Sequence, residues 1–127
     1  MREVREMAAE VLRALGHPLR LRIVEFLRAG ERCVCEIIPA VGAEQSVVSK
    51  HLALLRQAGL VGCRKEGLRV IYWVRDPKAF VIAESAREIV LQRLGELAGL
   101  VNDSFCKSEV MDDVSSFGQG EARRNGD

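Results

Sequence analysis

Cys33-Val34-Cys35 places two thiols two residues apart. Deprotonated thiols are the ligands of soft, thiophilic ions. On a regular α-helix, residues i and i+2 point about 200° apart, so two such thiols cannot share one ion there. They can converge at a frayed helix start or in extended backbone. A thiophilic centre is therefore expected to favour a distorted form of this segment over the helical one. That is the differential interaction a ligand needs to shift a conformational equilibrium. The same pattern also suits two buried, apolar cysteines at a helix start. A third thiolate could come from Cys106 or Cys63. Cys106 is the expected one, because it lies at the edge of a polar tail that can reach a site, whereas Cys63 lies in a strand-like run.

A second constellation is the run from Gln45 to Leu60. Val48, Leu52, Leu55 and Leu60 recur at helical spacing and predict a buried stripe. Gln45, Ser46, Ser49, Lys50 and Arg56 fall mostly off it. Gln, Ser, Lys and Arg side chains hydrogen-bond base edges and phosphates in the DNA major groove. Val47 and His51 complete the candidate contact set on this helix, although His51 can equally belong to the core. Gly59 stands where a helix C-cap needs a left-handed residue. Two strand-like runs follow, Leu60–Lys65 and Arg69–Val74, joined by Glu66-Gly67-Leu68. Arg64, Lys65 and Arg69 of this hairpin are expected on backbone phosphates. There is no Gly-rich phosphate loop, nucleophile elbow or HExxH, so no catalytic constellation is visible.

Around these two stretches, residues 2–14 read as a helix with Val4, Met7, Ala8, Val11 and Leu15 on one side. Gly16-His17 breaks it, and His17 suits a capping or core role. Pro18 opens a second helix, carrying Leu19, Ile23, Phe26 and Leu27 inward and ending at Ala29-Gly30. A short helix spans about Cys35–Ala40; Pro39 is tolerable only in a first turn, so this helix is short or kinked. Val41-Gly42-Ala43-Glu44 is the turn of a helix-turn-helix. Asp76 caps and Pro77 opens a long helix to about Leu100. Its apolar residues form two rows, Ala83, Val90, Leu94, Leu97 and Val101, and Ile82, Ala86 and Ile89. That is more apolar surface than one small domain covers, and it predicts a homodimer held by residues 2–14 and 77–101.

The predicted fold is therefore mainly α with a small β-hairpin, a winged helix-turn-helix over residues 1–101, with residues 102–127 a flexible polar tail. The 127 residues are 48% hydrophobic and carry a net charge of only +1. Charge is uneven. Residues 45–75 hold six basic side chains against Glu66 alone, while residues 101–127 are net acidic. A basic face on a neutral protein fits a DNA footprint of limited size. No apolar run is long enough for a membrane span and the N-terminus does not read as a signal peptide, so the expected location is cytoplasmic, with reduced cysteines.

Taken together these residues resemble the ArsR/SmtB family of winged-helix metalloregulatory repressors, arsenic-responsive type. Leu15-Gly16-His17-Pro18-Leu19-Arg20-Leu21-Arg22-Ile23 resembles the family's opening. Cys33-Val34-Cys35-Glu36-Ile37 resembles its metal-binding CVC(D/E)L box. Gln45 through Val61 resembles its recognition helix, and Arg64-Lys65-Glu66-Gly67 with Val70-Ile71-Tyr72-Trp73 its wing. The resemblance covers roughly residues 5–101. It implies a homodimer that binds double-stranded operator DNA and releases it when a thiophilic inducer, arsenite or another such ion, binds Cys33, Cys35 and a third ligand, with no organic cofactor. The third cysteine that arsenic sensors often carry three residues further on is replaced by Ile38, and residues 77–100 contain no histidine. Two other readings stand beside this one: a thiol redox switch on the same fold, and a winged helix used only to bind other proteins.

Overall fold

The computed structural model describes residues 2–102, in the order α1 (Val4–Leu15), α2 (Pro18–Phe26), a 3-10 turn (Leu27–Ala29), β1 (Arg32–Cys33), α3 (Val34–Val41), α4 (Gln45–Gln57), β2 (Val61–Glu66), β3 (Arg69–Val74) and α5 (Lys78–Asn102). This is a winged helix-turn-helix. Of the described residues, those up to Ser85 form one compact unit and those from Ala86 to Asn102 belong to a second. The expected tail, with Cys106, lies outside the described residues.

The periodic stripe of α4 is buried as expected. Val48, Leu52 and Leu55 are wholly enclosed and Leu60 nearly so. They join Ile23, Val24 and Leu27 behind α2, Ile37 and Val41 of α3, and Val61 of β2 in one core. Each such side chain contributes roughly 1.5–3 kcal/mol by leaving water. Val24 is a core residue that the sequence pattern did not single out, while Leu19 and Phe26 pack only partly buried against the core.

The helix ends follow local chemistry. His17 caps α2, its Nδ1 accepting the Leu19 N–H at 3.0 Å, as a capping role predicts. Helix α4 closes through Gly59 at φ +79°, whose N–H bonds the Arg56 carbonyl (2.9 Å) while the Leu60 N–H reaches back to Leu55 (3.0 Å). That double bond is a Schellman stop, and its positive φ requires glycine. Asp76 Oδ1 accepts the Lys78 N–H at 2.9 Å at the start of α5. This holds the Asp76 carboxyl below its ordinary pKa.

Two expectations are corrected. Pro39 sits inside α3, past the first turn. It leaves the Cys35 carbonyl without its usual helical donor, and α3 stops after eight residues. The hairpin is not alone, because β1 joins it to make an antiparallel sheet of order β1-β3-β2. Its register sets Arg32 against Tyr72 and Cys33 against Ile71. As the two apolar rows lead one to expect, the first turns of α5 dock on the core through Ala79, Phe80 and Ile82, whereas Ile89, Val90, Leu91 and Leu94 are exposed. In α1 only Leu15 is buried, and Val4, Met7 and Leu12 are exposed.

Candidate nucleic-acid interface and thiol site

The outer face of α4 begins with a bare helix end. Glu44 is the N-cap but its side chain accepts no hydrogen bond from the first turn. Unpaired N–H groups and the positive end of the helix dipole are there for an anion. Gln45, Ser46, Val47, Ser49 and Lys50 are all exposed around that start. Because Val48, Leu52 and Leu55 anchor the opposite face, these side chains are held outward by the core itself.

His51 is the exception, and it corrects the contact set. Only 9% exposed, it turns inward. Its Nδ1 lies 3.1 Å from an Arg20 guanidinium nitrogen, and its ring centroid is 4.4 Å from that of His17. Burial first, then the nearby His17, Arg20 and Lys50, push its pKa below the ordinary histidine value. Arg56 sits at the far end of α4, about 16 Å along the axis from Gln45, and donates to the Cys63 sulfur at 3.3 Å.

In the wing, Glu66 and Arg69 face each other across the two-residue turn Gly67-Leu68, with Gly67 at φ +62°. Lys65 and Arg69 are exposed. Arg64 is already engaged. It pairs with Glu31 (2.8 Å) and Glu66 (2.7 Å) and lies over the Trp73 ring, 5.5 Å from its centroid. The Arg64 hydrogen bond holds the Glu31 carboxyl below its usual pKa. Gly62 lets Trp73 lie flat on the neighbouring strand, since a Cβ there would stand 2.7 Å from the indole.

The thiol pair occupies the start of α3. Cys33 is the N-cap, in extended backbone (φ −70°, ψ 147°), and only 2% exposed. Its sulfur accepts the Cys35 N–H at 3.1 Å, and its own N–H donates to Glu36 Oε1 at 2.9 Å. This is a reciprocal capping box in which cysteine stands where Ser or Thr is usual. The two Cα atoms are 5.1 Å apart and the sulfurs are joined as a disulfide. The expected conflict between helix and convergence is therefore absent. One cysteine stands just outside the helix and the other just inside, so the sulfurs meet with α3 intact. Exposed Cys35 gives solvent access to the pair.

The sheet register separates the remaining thiol. Directly paired residues share a face, so Cys33 lies on the face of Ile71 and Arg64, and Cys63 on that of Tyr72 and Arg32. Cys63 thus points away from the pair. No group of three or more His, Cys, Asp or Glu side chains suited to a metal occurs among the described residues. Once reduced, the two adjacent thiols fit a soft ion in part; a three-thiolate set needs a donor from outside the described residues.

Sequence reading missed Glu36 as the reciprocal cap, Arg20 under the recognition helix and Glu31 as the partner of Arg64. Only Glu36 left a signal, an acid three residues after a residue able to cap. The other two are made by chain segments far apart in sequence.

The family model described as "Bacterial regulatory protein, arsR family" matches residues 17–62. The HTH-type transcriptional repressor SmtB of Mycobacterium tuberculosis is 43% identical over 75 residues, 59% of this chain and 56% of that protein. The chain thus matches about half of that relative's length. A probable mercury resistance operon repressor of Streptomyces lividans is 35% identical over 82 residues, covering 65% of this chain and 66% of the relative. The crystal structure of Rv0081 from M. tuberculosis superposes with a TM-score of 0.67 at 32% identity, covering 77% of this chain and 99% of that one.

Proposed function

Because the chain belongs to the ArsR/SmtB family of winged-helix regulators, DNA-binding transcription regulators rather than enzymes, we propose that it is a homodimeric repressor whose operator binding is relieved by a thiophilic inducer at Cys33 and Cys35. The observation that carries this reading is the convergence of the two sulfurs at the α3 start, next to strand pairing that leads into the wing. Arsenite is the favoured inducer, with Cys106 as third thiolate. A relative named for mercury resistance supports a soft ion as the class.

In this reading Gln45, Ser46, Ser49 and Lys50 read base edges, Val47 meets thymine methyl groups, and Lys65 and Arg69 hold phosphates. Arg56 and Arg64 reach phosphates only by leaving Cys63 and Glu31. His51 supports the helix from beneath. Engaging the Cys33 sulfur weakens its bond from the Cys35 N–H, and so the cap of α3. Helix α3 packs on α4, and Cys33 is paired to β3. A shift at the cap is therefore felt by both DNA-contacting elements. DNA and inducer then oppose each other by equal factors. The exposed apolar residues of α1 and of α5 serve dimerisation, placing two recognition helices on two half-sites. No described helix is long and apolar enough to cross a membrane, and we place the protein in the cytoplasm with its DNA.

The test is titration of the reduced protein on its own promoter DNA with arsenite, antimonite, cadmium, lead and zinc. Cys33→Ser and Cys35→Ser should bind DNA and no longer release it. Full release in both variants would remove thiophile sensing. Leu94→Glu with Leu97→Glu should give monomers that lose tight operator binding; a wild-type monomer in sedimentation would sink the dimer.

The disulfide favours one second reading, a redox switch in which two-electron oxidation joins the pair. DNA release by peroxide in the absence of metal, reversed by a dithiol reductant, would select it.

A further inference from the structure

The buried His51 is used by neither the proposed DNA contact nor the thiol site. It is the one polar side chain among the described residues that is buried with the core. The recognition helix otherwise rests on Val48, Leu52 and Leu55. The geometry around the ring specifies its protonation state. The Arg20 guanidinium can only donate, so His51 Nδ1 must accept and the ring is neutral, with its proton on Nε2. Arg20 cannot swing away without cost, because its Nε is bonded to the Ala14 carbonyl at the end of α1 (2.6 Å). His17 is likewise held, with its Nδ1 used in the cap of α2.

Among the described residues, every ionisable group acting on the ring is basic. Arg20 comes from α2, His17 from the cap of α2, and Lys50 from α4 itself. Helices α1 and α3 and strand β2 also touch α4, yet no ionisable group of theirs acts on the ring. Among the described residues no carboxylate is paired with it.

We infer that His51, Arg20 and His17 form an acid-sensitive lock between the recognition helix and α2, so that a second proton on the His51 ring sets donor against donor at Arg20 and loosens the seat of α4. The lock is closed at neutral pH and opens in mild acid. Its consequence for DNA rests on the repressor reading; the lock itself does not. The depressed pKa of His51 gives the sign. Above the ordinary histidine value of 6.5 the ring is neutral both folded and unfolded, and nothing is lost. As pH falls below 6.5 the unfolded chain takes up the proton first, and stability declines until the folded pKa is passed. Within that window the folding constant drops by up to about tenfold per pH unit.

The experiment uses the full-length, reduced protein. Histidine ring protons are followed by NMR against pH, unfolding in urea is measured between about pH 7.5 and 5.5, and operator affinity is measured over the same range at constant ionic strength. The expected result is a His51 ring titrating below 6.5, a folding constant that falls in acid, and operator affinity that falls several-fold more in wild type than in His51→Gln. Glutamine keeps an acceptor for Arg20 and does not titrate. Arg20→Gln removes the opposing guanidinium and should move the His51 titration up towards 6.5. That variant keeps the test open if His51→Gln folds poorly. A His51 ring titrating at or above 6.5 in wild type would overturn the lock, as would equal acid slopes of stability in wild type and His51→Gln. Equal acid loss of operator affinity in the two proteins would overturn its coupling to DNA. Absence of operator binding at neutral pH would instead overturn the repressor reading, while the ring titration decides the lock independently.

Discussion

Helices α3 and α4 follow one another across a three-residue turn and begin in opposite ways. Helix α3 starts closed: Cys33 is buried, its sulfur caps Cys35, its N–H is held by Glu36, and its backbone is pinned to Ile71 of β3. Helix α4 starts open: Glu44 gives no side-chain cap, and exposed Gln45, Ser46 and Ser49 surround the unpaired N–H groups. A helix start satisfied by its own chain has little to offer a second ligand unless that ligand competes for the cap. A start left bare invites an anion. One fold thus carries a site where binding must break something and a site where binding completes something. Under the proposed function, that contrast is the source of the expected antagonism between inducer and DNA.

The largest effect expected is on the support beneath the open start. Leu52→Ala empties a fully buried position and should cost roughly 2–5 kcal/mol in urea unfolding, with loss of operator binding where the fold fails. A cost below about 1 kcal/mol would mean that α4 is not anchored by this stripe.

Next come the exposed residues of the same helix. Ser49→Ala and Lys50→Ala should each weaken specific operator binding by roughly 1–3 kcal/mol, while stability stays within about 0.5 kcal/mol. Anisotropy against operator and scrambled DNA separates the two effects, and unchanged operator affinity in both variants would mean that the reading surface is misassigned.

The closed start should respond in the reverse manner. Glu36→Ala removes the reciprocal bond to the Cys33 N–H and should cost about 0.5–2 kcal/mol of stability. Cys33→Ser should unfold near wild type, because a serine oxygen can keep the cap, and yet lose inducer response. Calorimetry and inducer titration on both variants separate capping from ligation. A strongly destabilised Cys33→Ser would show that the sulfur is held for packing instead.

The smallest effect is at a third helix start, that of α5. The backbone N–H of Lys78, and then its charge, hold the Asp76 carboxyl below 3.8, its ordinary value. Its contribution is therefore present above 3.8 and is lost as pH falls through the lower folded value. Asp76→Asn should show a shallower acid loss than wild type in thermal melts at about pH 5 and pH 3. Identical slopes would remove Asp76 as a titrating cap.

Much of this was legible in the chain. The helical spacing of Val48, Leu52 and Leu55, the Gly59 stop, Pro18 at a helix start and the strand pair around Gly67 each rest on forces acting within a few residues. Strand β1 was not legible, because two residues carry no period. The Glu31–Arg64 pair was not either, since its members lie in separate segments and meet only when β3 joins β1 and β2 in one sheet.

The amino-acid sequence by itself determined which segments would be helix and hairpin, which face of α4 would be apolar, and that two thiols would sit near one helix start. Periodicity and end-capping are local and need no tertiary partner. Tertiary structure alone decided how the polar residues were shared out. His51 went inward because Arg20 and His17 lie beneath it. Cys63 went to the far face because β3 sets its register. Cys33 fell one residue outside α3 because β1 pairing holds its backbone extended. For His51, three residues after Val48 and four before Leu55, the helical spacing left both faces open; for all three, the final direction depends on atoms brought from a distant part of the chain.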